Sequence, residues 1–115
     1  EACALAELEG IRPAVLYELL TRSTGDSRVL RTRFPIAGAD PKHPASNGYE
    51  PLFALDLMVK DLQLALDLAA TYALAAPVAQ ASLARYRDAQ RSGRGPLDYS
   101  AVYTGSGSGR PTPPD

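Results

Sequence analysis

From Leu52 to Ala76 the chain runs through apolar residues at helical spacing until Pro77 stops it. No other feature limits the fold as much. On a wheel of about 100° per residue, Asp56, Lys60, Gln63, Asp67 and Thr71 form a polar stripe. Leu55, Met58, Val59, Leu62, Leu66, Ala69 and Ala73 lie on one side of it, and Leu57, Leu64, Ala65, Leu68 and Tyr72 on the other. A helix that is apolar on two sides is packed from two sides. The run is therefore expected to be the central helix of a bundle. It is long enough to cross a bilayer, but Asp56, Lys60, Asp61 and Asp67 inside it argue against a membrane span.

Helical spacing extends to most of the remaining chain, and strand-like alternation is absent, which predicts an all-α fold. Glu1 to Leu8 reads as mid-helix with no capping residue before it, so the chain is expected to start inside a helix. Gly10 is a natural left-handed stop for that helix. Pro13 suits the first turn of a second helix carrying Val15, Leu16, Leu19 and Leu20. Ser23 to Asp26 breaks it, and Asp26 or Ser27 can cap a short third helix with Val29 and Leu30. Residues 34–49 are irregular and rich in Pro and Gly, equally compatible with a binding loop and a floppy insertion. A further helix over 78–92 ends at Gly93, and 97–103 adds a last short turn. The expected organisation is one helical domain over 1–103 and a flexible Gly/Ser/Pro-rich tail over 104–115.

The length, 115 residues, suits one domain. A net charge of -1 gives no electrostatic case for nucleic acid or an anionic membrane as partner. One cysteine, Cys3, and one histidine, His43, exclude an internal disulfide and a multi-histidine metal site. The Cys-poor, Ala- and Arg-rich composition, with no signal leader, points to a bacterial cytoplasm.

Chemistry must then come from a few charged groups. Asp61 falls among Leu57, Ala65, Leu68 and Tyr72, inside an otherwise apolar face. A lone carboxylate buried there costs several kcal/mol, so an ion pair with Arg or Lys is expected, ahead of a catalytic role. Lys60 points about 100° away from Asp61 and reads as a solvated lysine in contact with Asp56 four residues earlier. Cys3 reads as a small core residue and His43 as an exposed loop residue. Arg85, Arg87, Arg91 and Arg94 read as a solvated face, without a glycine-rich phosphate cradle beside them. Leu83 and Tyr86 read as core.

The run Phe53 to Ala65, FALDLMVKDLQLA, resembles the F-x-x-x-L-M-x-K-D-L-x-L-A helix of the β-hydroxyacid dehydrogenases. Glu1 to Gly10 is similar to the end of that family's interdomain helix, and Ser23-Thr24-Gly25 with Ser27 to its S-T-G-x-S turn. Pro77, Tyr86 and the D-Y-S-A-V run from Asp98 to Val102 stand where the family has the same or similar residues. The loop around Pro35, Gly38, Pro44 and Tyr49 is similar to that of the 3-hydroxyisobutyrate dehydrogenase branch, with Ala37 in place of its second proline.

The resemblance implies a helical C-terminal domain like that of 6-phosphogluconate dehydrogenase, its N-terminal Rossmann domain absent from this chain. It implies that the catalytic lysine, its nearby asparagine and the glycine-rich substrate loop precede Glu1, so that no catalytic residue lies here. Lys60 matches the lysine that reaches the nicotinamide end of the cofactor. Phe53 and Asp61 match positions at the substrate cleft, Asp61 in a structural role. The implied cofactor is NAD or NADP, held mainly by the other domain. The implied substrate is a small 3-hydroxy acid, oxidised to its semialdehyde, and the implied assembly a homodimer or higher homo-oligomer. A sister reductase acting on tartronate semialdehyde, succinic semialdehyde or threonate, or a non-catalytic helical interaction module, remains the alternative.

Overall fold

The computed structural model describes residues 1–105; the expected flexible tail lies almost wholly outside them. The order is α1 (Ala2–Leu8), α2 (Pro13–Thr21), α3 (Arg28–Arg33), a 3-10 turn (Pro44–Asn47), α4 (Leu55–Thr71) and α5 (Pro77–Ala89). A π-turn (Gln90–Arg94) and a 3-10 turn (Tyr99–Gly105) close it. Among the described residues the only β-pairing is an isolated antiparallel bridge between Ala54 and Asp98. No helix there is long and apolar enough to cross a membrane.

Local chemistry sets the boundaries. Pro13 and Pro77 occupy first turns, where a missing N–H costs nothing. Ser27 caps α3 by accepting the Leu30 amide at 3.0 Å. Gly93, at φ +82°, turns the chain back at the end of α5.

The start of α4 is held from far along the chain. Its N-cap, Ala54, has no capping side chain. The Leu55 and Asp56 amides donate instead to the carbonyls of Leu97 and Gly95, at 2.8 and 3.0 Å. Tyr99 N–H donates to the Phe53 carbonyl at 2.9 Å. A Cβ at position 95 would lie 2.2 Å from the Asp56 carboxylate, so glycine permits this approach.

The core joins Leu55 and Val59 of α4 to Leu83 and Ala89 of α5, with Leu62, Leu66, Tyr86, Tyr99 and Val102 packed against it. Leu83 and Tyr86 are core, as expected.

Several expectations are corrected. The long helix is shorter than 52–76, because residues 52–54 pair with the C-terminal turn and Ala73 turns left-handed at φ +51°. Only one of its apolar stripes is covered: Leu57, Leu64, Leu68 and Tyr72 stay 43, 59, 60 and 77% exposed. His43 is buried, not exposed. Its ring meets Tyr17 edge-on at 5.1 Å, and Nε2 donates to the Arg31 carbonyl at 2.9 Å. The loop after α3 is tied down by Tyr49, which donates to the Pro35 carbonyl, and by Asn47, which donates to those of Pro41 and His43. A floppy insertion is thereby excluded.

Candidate functional site

Asp98 organises the ground on which the site stands. Its carboxylate is fully buried. One oxygen accepts the Leu52 and Phe53 amides at 3.1 and 3.2 Å. The other accepts the Ser100 amide and hydroxyl at 3.1 and 2.6 Å. This places Phe53 just before α4, with its ring edge-on to Tyr99 at 6.0 Å. The Arg33 guanidinium lies over the Tyr99 ring, 5.5 Å from its centre. Arg33 Nε stands 3.7 Å from Asp98, and Nη1 donates to Thr32 Oγ1 at 3.1 Å.

Between α3 and α4 these residues leave an open cavity of about 310 Å³, lined by Arg28, Val29, Thr32, Arg33, Phe53, Met58 and Tyr99. Its floor is apolar and its α3 side cationic. Burial raises the Tyr99 phenol above its ordinary range, with Arg33 opposing the shift.

The sequence-derived candidates divide. Phe53 lines the cavity. Lys60 and Asp61 lie further along α4 and do not line it. They pair with each other, Nζ to Oδ1 at 2.9 Å, with side chains 59 and 51% exposed. Asp61 thus has the ion pair with a lysine that was expected, and Lys60 is exposed as expected, but the burial of Asp61 and the Lys60–Asp56 contact are corrected. Asp61 is not inside a covered face, since the helices pack only against the opposite stripe. Lys60 does not contact Asp56, whose carboxylate instead accepts from Gln90 Nε2 at 2.7 Å. Neighbours whose Cβ atoms diverge can still meet through a long, flexible lysine stem.

Other candidates are structural or at the surface. Cys3 is half-buried on α1, which raises its thiol, as for a packing residue. Arg87 bonds to Gln63 and Arg91 to Asp88 on exposed surface. Arg28, Arg33 and Tyr99 escaped sequence reasoning. Two arginines at the ends of a six-residue helix carry no periodic signal, and Tyr99 joins them only through the fold.

The described residues thus form an all-helical domain with an aromatic and arginine-lined cleft and, further along α4, an exposed lysine on a rigid helix. Comparison gives this domain a family. Residues 1–105 match the family described as NAD-binding of NADP-dependent 3-hydroxyisobutyrate dehydrogenase. The chain belongs to this family.

A probable 3-hydroxyisobutyrate dehydrogenase of Mycobacterium tuberculosis is 35% identical over 102 residues, covering 89% of this chain and 34% of that protein. An L-threonate dehydrogenase of Cupriavidus necator is 36% identical over 102 residues, with 89% and 32% covered. Among solved structures, the M. tuberculosis 3-hydroxyisobutyrate dehydrogenase with L-serine superposes with a TM-score of 0.83 at 32% identity. That match covers 92% of this chain and 36% of the other. The chain thus spans about a third of the length of the curated relatives it matches.

Proposed function

We propose that this chain is the helical C-terminal domain of a cytoplasmic NAD(P)-dependent dehydrogenase of the 3-hydroxyisobutyrate type. It would furnish one wall of the active-site cleft and the surface through which copies pair. The observation that carries this reading is the Lys60 ammonium, held in the open on a rigid helix of the family's fold. A dinucleotide and a hydroxy acid are both anionic, and a lysine in that position offsets their charge. The side chains present fit such a cofactor at its edge. Lys60 would meet its negative charge, Asp61 would hold the ammonium in place, and Phe53 would exclude water from the cleft wall.

When bound, the nicotinamide accepts the hydride from the carbon that bears the substrate hydroxyl. The hydroxyl proton passes to a base outside this chain, so Lys60 acts in binding and not in proton transfer. The substrate is a small 3-hydroxy acid. 3-Hydroxyisobutyrate leads, and threonate follows because the C. necator relative of equal similarity bears that name.

The test is Lys60→Met in the full-length protein that carries this chain. The expected result is a KM for NAD(P) raised about tenfold or more, with kcat changed less. A cofactor KM equal to that of the unaltered protein would remove Lys60 from the site.

A further inference from the structure

The cavity between α3 and α4 has a charge surplus that the proposed cleft does not use. Arg28 and Arg33 both line it. Among the described residues the side chain of Arg28, exposed at the start of α3, makes no hydrogen bond or ion pair. Arg33 has one acidic neighbour, Asp98, and that carboxylate already accepts from the Leu52, Phe53 and Ser100 amides and the Ser100 hydroxyl. At 3.7 Å the Arg33 Nε makes no hydrogen bond to it, although the atom is buried. The two guanidiniums at this cavity thus have between them one acidic neighbour, beside Arg33, and its acceptor capacity is taken. Opposite them lie Phe53, Met58 and Tyr99.

An uncharged, apolar ligand seated there would strip water from the arginines and return nothing, which is costly. A ligand with a short hydrocarbon arm ending in a carboxylate would satisfy both walls. The guanidinium fork matches a carboxylate in plane and spacing, and the apolar floor lowers the local dielectric and strengthens the contact. We infer that this cavity is a subsite for a second carboxylate on the substrate. The enzyme then favours 3-hydroxy acids whose side arm ends in a negative group over those with an apolar arm. This rests on the dehydrogenase reading above, with Phe53 common to the cleft wall and the subsite.

Two substrates of nearly equal shape test it in the full-length protein: hydroxymethylsuccinate, whose side arm is carboxymethyl, and the analogue in which isobutyl replaces that arm. The dicarboxylate is expected to show kcat/KM higher by about tenfold or more. Arg28→Gln is expected to cut that preference about tenfold, chiefly through KM. Arg28 is exposed and unpaired among the described residues, so the variant should keep its melting temperature. Equal kcat/KM for the two substrates, or a preference that survives both Arg28→Gln and Arg33→Gln, overturns the subsite and leaves the dehydrogenase reading standing.

Should no hydroxy acid be oxidised, the dehydrogenase reading fails, and calorimetric titration with hydroxymethylsuccinate decides the subsite separately. Binding that Arg28→Gln weakens upholds it, and absence of binding overturns it.

Discussion

Asp98 and Tyr86 show how single groups carry the fold. The Asp98 carboxylate is enclosed and accepts backbone and hydroxyl donors from Leu52, Phe53 and Ser100. Asp98→Asn keeps the shape but turns an N–H₂ toward at least one of those donors. The expected loss is about 2–4 kcal/mol of stability, read from chemical denaturation. Tyr86 lies against the core, and its burial, with Tyr99 and Asp98 nearby, pushes its phenol up to about 12. Below pH 10 both folded and unfolded states keep the proton. Above it the unfolded state releases it first, so stability falls as pH rises toward 12. Tyr86→Phe should flatten that part of a stability-against-pH curve measured by denaturant midpoints. At this scale the sequence was only partly legible. Tyr86 was readable as core from its spacing. The mutual pairing of Lys60 and Asp61, and the burial of His43 under Tyr17, were not, because each depends on which surfaces neighbouring helices leave open.

α4 has two apolar stripes and one covering partner surface. Leu55, Val59, Leu62 and Leu66 meet α5 and the C-terminal turn, while Leu57, Leu64, Leu68 and Tyr72 face out. Contiguous exposed apolar surface marks a candidate site of association, and a second copy of the protein is its proposed occupant. Leu64→Lys with Leu68→Lys should leave unfolding free energy within about 0.5 kcal/mol, since both positions are exposed. The pair should shift sedimentation from oligomer toward monomer. An unaltered sedimentation profile would remove this face from the assembly. The sequence showed both stripes but not which one was covered. Nor did it show that α4 would start at Leu55, because its first amides are satisfied by the carbonyls of Leu97 and Gly95, far along the chain. Periodicity reports a helix's own faces, whereas its N-terminus here belongs to a long-range contact.

Across the whole molecule, the described residues form a lobe with a modest core and much exposed leucine, including Leu5, Leu8, Leu19 and Leu74. Tyr103 donates to the Glu7 carboxylate and so ties the last turn to α1. Burial and that carboxylate both push the Tyr103 phenol upward. In the proposed reading such a lobe supplies a wall and a charge to a dehydrogenase, while the base and most of the cofactor's grip lie outside it. Purified residues 1–115 with NAD or NADP should therefore show no oxidation of 3-hydroxyisobutyrate above background. Turnover by this chain alone would overturn that division of labour.

Helical spacing, glycine and proline stops and the Phe53-to-Ala65 run were enough to establish an all-helical domain of this family, since they depend on local periodicity and on residues read in order. Tertiary structure alone decided which stripe of α4 meets its neighbours, that Lys60 and Asp61 pair in the open, and that Arg28, Arg33, Phe53 and Tyr99 share one cavity. Those outcomes depend on contacts between segments distant in sequence, where the burial of one side chain is set by the backbone of another.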